Sequence, residues 1–372
     1  MKIGIVLYPT FGGSGVVATE LGKALAVKGH EVHFITYSQP VRLGAFRENI
    51  YYHEVRVSDY PLFEYAPYEL VLSSKIVDVV KYYKLDVLHV HYAIPHASAA
   101  YMAKQILKTQ NINIPYITTL HGTDITLVGK DASFEPVITF AINQSDAVTT
   151  VSQSLKEDTI EHFKIKTDIQ VIPNFIVNDE YKNIQNDGLK AQYSPNGEKI
   201  ISHISNFRKV KRIKDVVRVF GKIVEKVNVK LLMIGDGPER SSAGELCKEL
   251  GICDKVIFVG KVRSTKEVLS ISDLFLLPSE FESFGLSALE AFASGVPCIT
   301  SNTGGLPEVN EHGFSGFLSN VGDIDDMAKN GINLLSDENM LNEFKLNALK
   351  KAKGFDIENI LPLYENLYKS MC

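Results

Sequence analysis

Short apolar runs alternate with amphipathic stretches along the whole chain, and no other feature limits its fold as much. Runs at 2–8, 31–36, 87–91, 116–120 and 147–151 read as strands, as do those at 199–205, 230–235, 256–260, 273–278 and 297–301. Several, such as KLLMIG and DLFLLP, are almost continuously apolar, which suits parallel strands covered on both faces. The stretches between them repeat apolar residues at helical spacing, most clearly at Ile213, Val216, Val217, Phe220, Ile223 and Val224. Such alternation implies βαβ units and doubly wound parallel sheets, an α/β fold class.

A chain of 372 residues is long enough for two such domains. The break is expected near Ile172-Pro173-Asn174-Phe175. The polar segment 178–197 follows and closes with the turn signal Pro195-Asn196-Gly197. KIISHIS then begins a second α/β unit. Two Rossmann-like domains facing across a cleft are therefore expected.

The bulk numbers remove some functions. A formal net charge of −5 argues against a general nucleic-acid binder, which needs a basic footprint. Cys247, Cys253, Cys298 and Cys372 form no C-x-x-C pair, and a reduced, cytoplasmic protein is expected. The start MKIGIVLYPTFGG does not read as a signal peptide, and no run approaches 18 apolar residues.

Four strand-to-helix junctions can carry chemistry. Gly12-Gly13-Ser14-Gly15 opens a helix whose stripe is Val17, Leu21, Ala24 and Leu25. It is either an anion-approaching glycine loop or a tight turn with Ser14 as N-cap. Its spacing is not that of a dinucleotide fingerprint. The second junction, Asn206-Phe207-Arg208-Lys209-Val210-Lys211-Arg212, packs cations outside the end of a strand. Ligands of open α/β sheets bind there, and Arg and Lys suit a diphosphate.

The third junction, EFESFGLSALEAF, sets Glu282 before a helix and Glu290 inside it. Amide groups at Phe284, Gly285 and Leu286 would form an anion site at the helix start. Glu290 could then accept from a ribose diol and Glu282 from sugar hydroxyls. The other reading makes both surface carboxylates. The fourth junction, Thr303-Gly304-Gly305-Leu306-Pro307-Glu308, is a sharp turn or a ligand contact. His89 and His91 alternate on one strand but lack a third metal ligand at suitable spacing. Asp323, Asp325 and Asp326 are read as stabilising the following helix start rather than holding a metal.

Taken together, the glycine loop, HGTD at 121–124, SNFRKVKR, IGDGPE, the Glu282–Glu290 spacing and GVPCITSNTGGLPE resemble the retaining E-x7-E glycosyltransferases over the whole length. The resemblance implies the GT-B fold. It implies an acceptor-binding domain at 1–172 and a nucleotide-sugar domain at 173–354, with 355–372 packing back on the first. It implies UDP-N-acetylglucosamine as donor and L-malate as acceptor, as in the branch that begins bacillithiol biosynthesis. The catalytic set would be Glu282, Lys211, Arg208 and His121. Gly13, Asn206, Arg208, Lys211, Lys261, Glu282, Phe284, Gly285, Leu286 and Glu290 would hold the donor, with Lys261 near the uracil. The strand ends offer Ser14, Tyr92 and Thr119 to the acceptor, and Arg42 could take a carboxylate in a fork. No cofactor and no metal are expected, nor a nucleic-acid partner or stable membrane insertion; homo-oligomerisation stays open. The rival readings are a family member with a lipid or saccharide acceptor, a UDP-sugar epimerase and a non-enzymatic sensor.

Overall fold

The computed structural model describes residues 1–372 apart from 11, 45–46, 58–63, 128, 130, 183, 185 and 263. The chain divides into two compact units, Met1–Asn174 with Ile357–Cys372, and Phe175–Asp356.

The first unit holds β1 (Lys2–Val6), β2 (Glu31–Thr36), β3 (Ile50–Glu54), β4 (Val87–His91), β5 (Tyr116–Leu120), β6 (Ala147–Thr150) and β7 (Ile169–Val171). They form one sheet in the order β3-β2-β1-β4-β5-β6-β7, and every pair is parallel. Every residue of β4 and β5 is buried, as two-sided helical cover demands. Ile76 and Val80 of the helix Tyr68–Tyr83 meet Leu88 and Val90 of β4 and Ala100 and Ala103 of the next helix in one core. The last helix, Ile357–Met371, packs on Gly13–Val27 of this unit. It buries Tyr364 and Tyr368 and places Glu365 at 2.9 Å from His30.

The second unit holds β8 (Lys199–Ile204), β9 (Val229–Ile234), β10 (Val256–Gly260), β11 (Leu274–Leu277), β12 (Cys298–Ser301) and β13 (Gly316–Ser319). Their order is β10-β9-β8-β11-β12-β13, again all parallel. The helix Ile213–Val224 buries Ile213, Val216, Val217, Phe220 and Ile223, as its sequence stripe requires. Each such side chain contributes about 1.5–3 kcal/mol of transfer free energy.

Three strands escaped the sequence reading, β3, β7 and β13, and all three are sheet edges. An edge strand lacks a neighbour on one side and often carries exposed residues, such as Tyr51 and Tyr52 in β3. The polar segment after the break is not plain linker. It forms a 3-10 turn at Asn178–Tyr181 and a helix at Asp187–Tyr193. Tyr181 is buried, and Leu189 and Tyr193 pack on the core of the second unit. Residues 183 and 185 of that segment lie outside the described set. No helix among the described residues is long and apolar enough to cross a membrane.

Candidate functional site

In the second sheet the connections leave β8 in opposite directions, β9 and β10 on one side and β11 to β13 on the other. Loops at the carboxyl ends of β8 and β11 therefore meet at a topological switch point, where α/β sheets form ligand crevices. The Glu280 amide donates to Val210 O at 2.8 Å and ties the two loops together. Lys211 Nζ donates to Glu282 Oε1 at 2.6 Å, and Ser279 Oγ donates to the same oxygen at 2.8 Å. The two ionic side chains are only 20% and 12% exposed. Glu282 is thus not a free surface carboxylate.

The neighbouring cations are placed differently. Phe207 is buried and anchors the loop, while Asn206 and Arg208 on either side of it are exposed. Arg212 turns to Asp215, with Nε 2.5 Å from Oδ2, and Arg218 reaches the other oxygen of Asp215 at 3.0 Å. Arg212 is therefore committed to its own helix, and Arg208, Lys209 and Lys211 are the cations of this loop outside that ion pair. Lys261 is exposed in the loop after β10.

Gly285 precedes the helix Leu286–Ala293 with φ of 99°, a conformation that disfavours any side chain. The amides of Ala288 and Leu289 both return to Gly285 O at 3.0 and 3.1 Å. Leu286 and Ser287 lie ahead of those bonds, among the helix-start N–H groups that lack intrahelical partners. Phe284 buries its ring against Phe355 with centroids 5.6 Å apart. Glu290, one turn on, is 6% exposed and accepts from Thr265 Oγ1 at 3.2 Å. A solvated helix carboxylate would not be buried in this way.

Two glycine pairs hold these loops from behind. A Cβ on Gly304 would lie 2.1 Å from Glu282 O, and one on Gly305 2.4 Å from Ser283 O. The fourth junction is thus a backbone cradle for the third. Likewise a Cβ on Gly235 would lie 1.8 Å from Ser205 O, and one on Gly237 2.2 Å from Asn206 O. The sequence reading gave IGDGPE no physical role. Its signal was a pair of glycines with one residue between them, Gly235 and Gly237, directly after a strand.

The first sheet has its own switch point between β1 and β4. Gly12, not Ser14, is the N-cap of the helix Gly13–Val27. Ser14 sits within the helix and exchanges a 2.7 Å hydrogen bond with Tyr92 Oη from the end of β4. Tyr92 is held at φ of 85°, and burial pushes its phenol up to about 12, so it stays neutral. The His121 ring, directly after β5, lies 5.3 Å from that of Tyr92 and bonds His91 Nδ1 through Nε2 at 2.8 Å. Burial holds His121 down to about 3 and His91 well below the ordinary imidazole value.

Thr119 is a correction. Its side chain is fully buried, and its hydroxyl bonds His89 Nε2 at 2.7 Å and Thr149 Oγ1 at 2.6 Å. Because β5 is an inner strand with cover on both faces, that hydroxyl belongs to the core and not to a ligand. Arg42 lies half-buried in the loop after β2 with φ of 66°. Asp124, missed as a working residue, is buried and accepts from the amides of Ala93 and Gly122, each at 3.0 Å. It clamps the loops after β4 and β5 together. Burial raises its carboxyl to about 6, and those amides oppose the rise.

Among the described residues, no group of three or more His, Cys, Asp or Glu side chains is placed to hold a metal ion. Asp323 caps the helix Ile324–Ser336 by accepting from the Asp326 amide at 3.0 Å, and Asp325 pairs with Lys222 at 2.8 Å. Both ring nitrogens of His89 are taken, by Tyr368 and Thr119.

Comparison with known proteins gives a consistent frame. The family described as Glycosyl transferases group 1 matches residues 186–351, and Glycosyltransferase Family 4 matches residues 11–180. The N-acetyl-alpha-D-glucosaminyl L-malate synthase of Bacillus anthracis is 50% identical over 99% of this chain and 96% of its own length. Sucrose-phosphate synthase of Thermosynechococcus elongatus superposes with a TM-score of 0.81 at 21% identity, covering 100% of this chain and 98% of its own. The Anabaena protein HepE in complex with UDP-glucose gives a TM-score of 0.82 at 19% identity, with full coverage of both chains (100% and 100%). The last two speak for the fold alone.

Proposed function

The chain belongs to the group 1 glycosyltransferases and is a UDP-sugar transferase, and on that premise we propose that it moves N-acetylglucosamine from UDP-N-acetylglucosamine to the hydroxyl of L-malate with retention at the anomeric carbon. The donor half rests chiefly on the Lys211–Glu282 contact at the β8/β11 switch point. The acceptor half rests on the Bacillus anthracis relative.

A diphosphate takes its negative charge to Lys211, Arg208 and the amides at Phe284, Gly285 and Leu286. Lys211, held by Glu282, and the loop amides are in place before the reaction, so they stabilise the charge of departing UDP without reorganising. Glu282 orients Lys211 through Oε1 and accepts from the sugar hydroxyls through its other oxygen. Glu290 accepts from the ribose diol. Gly13, Asn206 and the backbone near Lys261 complete the donor contacts, and His121 meets the donor sugar. Ser14, Tyr92 and Arg42 receive malate. The bond between the sugar and the phosphate oxygen breaks, and the malate oxygen bonds the anomeric carbon on the same face. The malate proton passes to the departing phosphate oxygen. No metal takes part.

The test is UDP release from UDP-N-acetylglucosamine with malate, succinate or a diacylglycerol as acceptor, each with and without EDTA. Malate alone should support turnover, with a glycoside of malate as product. Equal stimulation by succinate, which has no hydroxyl, would overturn transfer to malate. Faster turnover on the lipid would move the acceptor assignment, and an altered sugar formed without malate would point to epimerisation. Loss of activity in EDTA, restored by magnesium, would refute the metal-free mechanism.

A further inference from the structure

We infer that His91 is a positioning residue that fixes His121 as its Nδ1–H tautomer, so that His121 enters the site as a neutral hydrogen-bond donor and not as a base. The inference rests on the reading of His121 as a donor-sugar contact.

His91 ends β4, and His121 follows β5, its neighbour in the sheet. Their rings lie 5.1 Å apart, with His91 Nδ1 2.8 Å from His121 Nε2. One proton occupies that bond, and the protein environment decides whose it is. If His121 gave it, the neutral His91 ring would carry its own proton on Nε2. That atom is buried and has no partner among the described residues. An orphaned buried N–H is rarer and costlier than an under-used acceptor. If His91 gives the proton from Nδ1, Nε2 is only a bare lone pair. The second arrangement is the cheaper one.

The surroundings close the alternatives. His89 stacks on His91 at 4.4 Å, but both its nitrogens are engaged by Tyr368 and Thr119. His96 donates from Nδ1 to His91 O, so its Nε2 is also a lone pair; that atom is likewise buried without a partner, and the two Nε2 atoms do not bond each other. Neither a second proton on His91 nor one on His121 is favoured, because burial and the neighbouring imidazoles depress both groups. With Nε2 of His121 accepting from His91, the proton of His121 sits on Nδ1. His121 is half-buried, and Nδ1 is the ring nitrogen left for a ligand. A fixed N–H there suits an oxygen of the sugar, and it cannot remove a proton.

The test is direct observation of the tautomer in the full chain. Histidine labelled with 15N, with His121 assigned by loss of its signals in His121→Gln, should show a protonated Nδ1 and an unprotonated Nε2 at neutral pH. A protonated Nε2 in the wild-type chain would overturn the inference. Two variants extend it. His91→Asn retains an N–H that can donate near the Nδ1 position, and it should keep the tautomer and turnover within a few-fold. His91→Asp offers only acceptors, so it should reverse the tautomer and lower kcat by about tenfold or more, the scale of a misdirected site donor. Equal losses in the two variants with an unchanged tautomer would reduce His91 to a packing residue. If the wild-type tautomer is as stated but His121→Gln keeps full kcat, the sugar-contact reading fails and the tautomer assignment stands.

Discussion

The two sheets solve the same geometric problem with different chemistry. Each brings two loops together at its switch point and ties them with a side-chain hydrogen bond, Ser14–Tyr92 at 2.7 Å in the first and Lys211–Glu282 at 2.6 Å in the second. The first contact is neutral and stands beside the buried imidazoles His89, His91 and His96 and the half-buried His121. The second is ionic, with a helix start beside it. A diphosphate calls for fixed positive charge, whereas hydroxyls of a sugar or small acceptor need donors and acceptors whose protonation does not drift. Topology therefore sets where a site forms, and side chains set what it can hold.

That contrast should break most visibly in acid. His89 is held down to about 3, His96 to about 4 and His53 to about 4 in the first unit; in the second, His203 is held to about 4. Each lies below the ordinary imidazole value, so the folded chain binds fewer protons than the unfolded one between the two values. Stability is therefore present above about 6.5 and is lost as pH falls toward 4 and then 3. At about 1.4 kcal/mol per pKa unit, His89 alone contributes on the order of 5 kcal/mol over that span. Asp124, raised to about 6, works the other way and returns part of the loss as pH falls from 6 to 4. Hydrogen exchange followed by peptide mass should show residues 1–174 opening at higher pH than 175–356. The reverse order would mean that the histidines do not govern acid stability.

Lys211→Ala should lower kcat by about 100-fold, near 3 kcal/mol, if fixed charge on the leaving diphosphate drives the reaction. A change confined to the acceptor KM would detach Lys211 from the donor side. Glu290→Gln should cost about 1–3 kcal/mol in donor kcat/KM, the range for a hydrogen bond to a charged group. Unchanged donor kinetics would leave Glu290 a buried structural carboxylate bonded to Thr265. Tyr92→Phe is expected to have the smallest effect. It should raise the malate KM by about 5–10-fold, roughly 1 kcal/mol, with the donor KM nearly constant. A matching rise in the donor KM would erase the division of labour between the sheets.

The legible parts of the chain were those with a local signature. β9 and β11 carried near-continuous apolar runs because both of their faces are covered. The Glu282–Glu290 spacing and Gly285 marked a loop entering a helix. The edge strands β3, β7 and β13 were not legible, since one-sided pairing does not require such a run. Nor could spacing tell Lys211 from Arg212. They are adjacent, yet one turns to a carboxylate 71 positions away and the other to Asp215 three residues on.

By itself, then, the sequence determined the alternation of strands and helices, the glycine junctions and the residue types able to hold a nucleotide-sugar. Periodicity, propensity and positive-φ glycines act over a few residues, so they can be read in order along the chain. Only the tertiary structure decided which junctions meet. Setting β8 beside β11 delivers Lys211 to Glu282. Setting β1 beside β4 delivers Ser14 to Tyr92 across 78 positions. Sheet order likewise took Thr119 into the core and His91 to His121, because burial and hydrogen-bond partners follow from neighbours in space, which no local pattern encodes.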